Sequence, residues 1–186
     1  MKNPYLFGFL PLITILLFSM TFGLFAVNES LLLFKKIGVY AAMSEFLSDA
    51  ELRVFLFICF GVIFFMVFSA IKLLGETIHT IGMLFFAKIK EDNPPQESKA
   101  LYSILLLGAC LSVIGVQSLT MLIAIAVGTV IIYFIASMVR LTEYLGFSSV
   151  IGLLIFEFAM WTVLVVTLAY VIVKLYNSLL ASLPFS

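Results

Sequence analysis

Charged side chains are scarce in this chain. Asp, Glu, Lys and Arg make up 11% of its 186 residues, whereas they form roughly a quarter of a soluble protein. The ten basic and ten acidic residues cancel, so there is no basic surface of the kind that attracts nucleic acid. The longest polar stretch, residues 88–99, has only twelve residues. We therefore expect no nucleic-acid partner and no sizeable soluble domain.

Metal-binding and catalytic residue types are equally rare. His79 is the single histidine, and Cys59 and Cys110 lie far apart inside apolar runs. One chain therefore cannot supply a zinc site of three or four protein ligands, and the cysteines predict no disulfide framework. The sequence also lacks a GxSxG elbow, a P-loop and a Rossmann fingerprint. We predict no cofactor, no metal, no catalytic residue and no enzymatic activity.

Long uncharged runs fill most of the chain. They cover residues 3–28 and 54–71 and the forty residues between Lys99 and Arg140. Hydrophobic residues make up 64% of the sequence, and about 20 apolar residues are enough for a helix to cross a bilayer. The sequence therefore predicts an all-α integral membrane protein, a polytopic transmembrane helix bundle whose main surroundings are the lipid bilayer.

Five membrane spans are predicted from these runs. The forty-residue run would be about 60 Å long as one helix, about twice the thickness of the hydrocarbon core, so it must fold back. Glycine and polar side chains place the turn at residues 115–118. The predicted spans of this single membrane domain are residues 5–27, 54–72 extending toward 87, 101–116, 119–138 and 150–173.

The connections between the spans carry most of the polar residues. Residues 29–53 alternate apolar and charged groups, which predicts a short amphipathic helix in the membrane interface. A re-entrant segment is the alternative, although Lys35 and Lys36 would resist burial. The sequence Asn-Pro-Pro at 93–95 breaks any helix and predicts the main hinge of the chain.

Basic residues are divided unequally between the two membrane faces. Five spans put the termini on opposite faces. The face with the N-terminus carries Lys2, Lys88, Lys90, Lys99 and Arg140, with Lys72 close by, and the other carries Lys35, Lys36, Arg53 and Lys174. Because cytoplasmic loops are enriched in Lys and Arg, this distribution predicts a cytoplasmic N-terminus in the cell membrane.

Glu157 is the strongest sign of a functional site. Thirteen uncharged residues precede it and sixteen follow it, so it lies about 10 Å inside the fifth predicted span. A carboxylate at that depth costs several kcal/mol unless it is paired, hydrated or protonated. Two interpretations stay open: an ion or proton site, or a structural glutamate that locks two helices together.

A second group of polar residues ends the second predicted span. Lys72, Glu76 and His79 are spaced by four and three residues, which places them on one helical face. His79 could accept a proton near neutral pH; the alternative is a helix end with its charges in water. The second predicted span ends on the membrane side where the fifth begins, so these residues and Arg140 lie on the same side of the membrane as Glu157. We predict one intramembrane polar cluster of these five residues, in which Lys72 or His79 pairs with Glu157.

Small residues recur at helical spacing on the third and fourth spans. They are Gly108, Ser112 and Gly115 on one, and Ala124 and Gly128 on the other. Small residues let membrane helices approach closely. They suit either a hairpin between these two spans or the seam of a homo-oligomer.

Two stretches resemble a known family. The sequences MKNPYLFGFLPL at 1–12 and SAIKLLGET at 69–77 are similar to the YufK-like family of small multi-pass proteins from Bacillus-type bacteria, and length and hydropathy agree along the whole chain. The resemblance implies a bacterial plasma-membrane location. It assigns no activity, so it implies no functional residues.

The small number of reactive groups favours a function that depends on helix packing. We predict a small accessory or assembly subunit that works in a homo-oligomer or a larger membrane complex. The alternative is a proton- or ion-coupled transporter or channel component that uses the buried glutamate.

Overall fold

The described part of the chain is built of α-helices. A computed structural model describes residues 9–86 and 101–182. Its helices are α1 (Leu10–Lys36), α2 (Val39–Ser44), α3 (Asp49–Phe86), α4 (Leu101–Ser112), a 3₁₀ helix (Ile114–Gln117), α5 (Leu119–Tyr144) and α6 (Phe147–Ser182). The all-α prediction is confirmed. The predicted hinge at 93–95, the charged loop around it and the first residues of the predicted first span lie outside the described residues.

Four of these helices, α1, α3, α5 and α6, are long and apolar enough to cross a membrane. Helix α4 has 12 residues, which corresponds to about 18 Å, less than the thickness of the hydrocarbon core. The 3₁₀ helix that follows α4 and its extended C-cap, Ser118, lie where the turn of the long uncharged run is predicted. A polytopic helix bundle is therefore supported, while the count of five spans stays a prediction.

The described residues fall into two compact units. The first unit contains residues 9–74 and 101–140, and thus α1, α2, the larger part of α3, α4 and most of α5. The second contains residues 75–86 and 141–182, and thus the end of α3, the end of α5 and all of α6.

In the first unit, α1 packs antiparallel to α3. Phe18 contacts Phe68 with ring centroids 5.9 Å apart, and Phe22 contacts Phe64 at 5.5 Å. Directly after Phe22, Gly23 lies so close to α3 that an added Cβ would stand 3.3 Å from a backbone nitrogen of that helix. Close approach of backbones through glycine is a common way to pack helices in lipid, where no hydrophobic effect drives association.

Helix α1 continues further than the sequence predicts. Residues 29–36 belong to α1, so the short separate helix predicted within 29–53 is confined to the six residues of α2. The extension is stabilised because Val27 and Leu31 are buried in one cluster with Leu52 and Leu56 of α3. The helix ends before Gly38, whose φ of 80° is a left-handed conformation that glycine adopts without strain.

A polar contact fastens α2 to the start of α3. The hydroxyl of Tyr40 donates a hydrogen bond to Asp49, and the Lys35 amine lies 4.8 Å from the centre of the Tyr40 ring. The hydrogen bond to the carboxylate raises the pKa of Tyr40, because it favours the protonated phenol. The connection between the first two long helices is therefore tied down by side chains that lie at the surface of the chain.

Helices α4 and α5 form an antiparallel hairpin. The rings of Tyr102 and Tyr133 stack with centroids 6.2 Å apart, and Gly108 packs directly against the side chain of Thr129. The buried Ser112 hydroxyl lies 3.0 Å from the Thr21 hydroxyl of α1. Two of the small residues on α4 therefore serve packing within the chain, one against α5 and one against α1. Nothing described lies within 4 Å of a Cβ added at Gly128, so this glycine has no such packing role.

Candidate functional site

The second unit brings the end of α3 against the first half of α6. Three glycines make the contact close: an added Cβ at Gly75 would stand 3.5 Å from Trp161, one at Gly82 would overlap Leu153, and one at Gly152 would overlap Phe86. Residues with higher numbers on α3 contact residues with lower numbers on α6. The two segments are therefore antiparallel, with small residues of each facing large residues of the other.

His79 and Glu157 meet in the middle of this contact. The Nδ1 atom of His79 lies 2.6 Å from Oε1 of Glu157. His79 follows Gly75 by four residues and precedes Gly82 by three, so all three share the face of α3 that packs on α6. On α6, Val150 and Leu153 are buried on the same face as Glu157. The pair is thus enclosed by helix contacts one turn away in both directions.

The two members of the pair differ in burial. The Glu157 side chain is 6% exposed, whereas that of His79 is 37% exposed. The carboxyl is therefore withdrawn into the helix contact, and the imidazole connects it to the outside of the chain. A lone carboxylate at such a position is costly in lipid, and a hydrogen bond at this distance is of the strong, charge-assisted kind when either partner is ionised.

The other three residues of the predicted cluster lie at different places. Glu76 is exposed one turn before His79 on α3. Lys72 and Arg140 are half-buried and belong to the first unit. Among the five predicted residues, the structure brings His79 and Glu157 into contact. Within residues 9–86 and 101–182 there is no group of three or more His, Cys, Asp or Glu side chains that could hold a metal ion.

The family follows from comparison with known proteins. A profile of DUF5366, a family of unknown function, matches residues 27–184. The chain belongs to this family. It is also similar to the uncharacterized membrane protein YufK of Bacillus subtilis (strain 168), with 33% identity over 184 residues, which cover 99% of this chain and 100% of the relative. This confirms the resemblance predicted from the sequence. No solved structure matches the chain.

Membership of the family fits the helices described above. The relative is a membrane protein by name, and four described helices are long and apolar enough to span a bilayer. This family member is therefore an integral membrane protein. The matched region contains the hairpin, the His79–Glu157 pair and α6, and neither the family nor the relative supplies an activity for them.

The second half of α6 has a feature that the sequence analysis missed. From Val165 to Ala181 every side chain is exposed, although the first half of the helix is packed. Three polar side chains of this half share one face, since Tyr170, Lys174 and Asn177 follow one another at spacings of four and three. They line a shallow groove together with Val173, Ser178 and Ala181. The same spacing rule, applied beyond Glu157, would have shown this face in the sequence.

Proposed function

We propose that the protein is a small accessory subunit of a membrane complex and that the second half of α6 binds its partner. The observation that carries the proposal is the complete exposure of residues 165–181, which contact nothing else in the described chain closely enough to be covered. A helix that is surrounded by lipid alone has no use for a polar face. This one has Lys174, Asn177 and Ser178 together on one side.

The polar face would be costly if it contacted only lipid tails. Lys174 directly follows the fifth predicted span, where a lysine side chain extends toward headgroups or a protein partner. A neighbouring helix with carbonyl, hydroxyl or carboxylate acceptors would satisfy Lys174 and Asn177. The partner that fits is thus a transmembrane helix with an acceptor-bearing face.

A second copy of the same chain fits this face less well. Copies inserted in the same direction are related by an axis along the membrane normal, so equivalent residues lie at the same depth. Two Lys174 ammonium groups would then oppose each other, and like charges across an interface are unfavourable. The proposal therefore names a different protein as the partner.

Photo-crosslinking in native membranes tests the proposal with a matched pair of tyrosines. A photoreactive phenylalanine derivative would replace Tyr170, which lines the groove, or Tyr176, which lies six residues further and about 120° around the same helix. We expect Tyr170 to give an adduct with one protein of defined mass, and Tyr176 to give adducts with lipid only. An adduct of twice the chain's own mass, or protein adducts at neither position, would contradict the proposal.

A second candidate function is favoured by one observation, the His79–Glu157 pair. A buried carboxyl bonded to the only histidine is the type of group that proton- or ion-coupled membrane proteins use. Under this alternative, Glu157→Gln changes ion flux across vesicles that contain the purified protein. Under the accessory function, flux stays at the level of empty vesicles and only the set of co-purifying proteins changes.

A further inference from the structure

We propose that the His79–Glu157 pair is a proton-binding site that holds one proton and thereby stays electrically neutral. The pair is a direct contact of 2.6 Å between an imidazole nitrogen and a carboxylate oxygen. This inference does not depend on the partner of α6, because both residues and their contacts lie within the second unit.

The packing around the pair explains why neutrality is favoured. Glu157 is 6% exposed, and Gly75 and Gly82 bring α6 close to α3 on both sides of His79. Little water fits between helices in such contact, so an uncompensated carboxylate there has lost most of its hydration. Charged groups in this situation are usually paired or neutralised. One bound proton leaves the carboxylate either paired with an imidazolium or neutralised as a carboxylic acid.

The other charged groups near these helices are few. Among the described residues of the second unit, the other acidic groups are Glu76, one turn before His79 on α3, and Glu143, at the end of α5. Lys174 is the cation on α6, and it lies seventeen residues beyond Glu157, about 25 Å along the helix. Along α3, Glu76 follows the cation Lys72 by four residues, so charge of neither sign dominates beside the pair.

The proton balance of the site is simple. Neutral imidazole beside carboxylate has a net charge of minus one. Uptake of one proton from water gives either imidazolium beside carboxylate or, after transfer along the hydrogen bond from Nδ1 to Oε1, neutral imidazole beside carboxylic acid. Both protonated forms are neutral, and release returns the same proton to water. Because the two residues are coupled, the proton belongs to the pair and not to one of them.

The exposed imidazole provides the route for the proton. His79 keeps 37% of its side chain accessible, and its second ring nitrogen, Nε2, is not the atom that contacts Glu157. A proton that arrives at the ring can pass to the carboxyl, since imidazole carries one nitrogen for each side of such a relay. His79 is thus the outer half of the site and Glu157 the inner half.

A single histidine makes the site directly observable. The full chain, purified with a histidine-free tag, labelled with ¹⁵N-histidine and placed in lipid nanodiscs, should give signals from His79 alone. Infrared spectra of the same sample report whether a carboxylic acid is present. Ordinary histidine loses its second proton over about pH 5–8. At about pH 8 we still expect one proton per chain in the wild-type pair, seen as a doubly protonated ring or as a carboxylic acid band.

The variant Glu157→Gln should remove that proton. Loss of an opposite charge at hydrogen-bond distance should lower the protonated population of the site at least about tenfold at the same pH, leaving neutral imidazole. Glu143→Gln, which removes an exposed carboxylate of the same unit, should leave the wild-type spectra unchanged. A wild-type pair that already shows neutral imidazole and no carboxylic acid at about pH 8 overturns the proposal, even if Glu157→Gln does not fold.

Discussion

Removal of the His79 imidazole is expected to destabilise the protein by about 2 kcal/mol. The variant is His79→Ala, which leaves Glu157 buried without its 2.6 Å partner. Hydrogen bonds between membrane helices are worth about 0.6 kcal/mol on average, whereas breaking a fully buried ion pair costs about 3–5 kcal/mol. Because the His79 side chain is 37% exposed, an intermediate value applies. The free energy of unfolding in mixed micelles measures it.

A double-mutant cycle separates the pair from its surroundings. If the loss in His79→Ala arises from the stranded carboxyl, then Glu157→Gln should cost less in that variant than in the wild type. The stability lost in the double variant should therefore be smaller than the sum of the two single losses by about 1 kcal/mol or more. Glu143→Gln, as the control for removal of an exposed carboxylate, should change stability by less than about 0.5 kcal/mol. Additive losses would show that the contact contributes nothing as a pair.

The substitution Gly108→Ala is expected to cost about 2 kcal/mol, the largest effect of any single methyl group in the α4–α5 hairpin. An added Cβ would overlap three side-chain atoms of Thr129, and a β-branched side chain in a helix has little freedom to move away. Overpacking of this kind typically costs about 1–3 kcal/mol. Unfolding in mixed micelles again provides the measurement.

Gly128→Ala is the matched control on the partner helix of the same hairpin. Nothing described lies within 4 Å of a Cβ at Gly128, so the same substitution should be neutral or should stabilise by up to about 1 kcal/mol through helix propensity. Thr129→Ala should recover part of the loss in Gly108→Ala, since it removes two of the three overlapping atoms. Equal effects of the two glycine substitutions would contradict the close contact.

The sequence predicts the parts of the fold that depend on composition and length. The uncharged runs identify the long apolar helices, and the excessive length of the run before Arg140 requires the interruption that the structure has after Ser112. The contact between His79 and Glu157 could also be predicted from composition. With one histidine and one carboxyl deep in an apolar run, few partners were available, and helix periodicity places both on packing faces.

The remaining features depend on contacts between distant residues. The continuation of α1 through residues 29–36 is decided by Leu31, which is buried against α3, and local sequence shows only mixed polarity there. The glycines at 75, 82 and 152 have unremarkable neighbours in the sequence. They become informative only when the partner helix supplies Trp161, Leu153 or Phe86 opposite them. Choosing His79 over Lys72 as the partner of Glu157 likewise needed the helix register.

The pairing of α1 with α3 also sets the depth of Lys72. Phe18 lies beside Phe68, so Lys72, four residues further along α3, is level with Thr14, four residues earlier along the antiparallel α1. Thr14 is buried and lies four residues into α1, about 6 Å by helical rise. A lysine at that level can extend its four-carbon stem toward the headgroups. The contact between α1 and α3 is therefore expected to set how far both helices extend into the bilayer at this end.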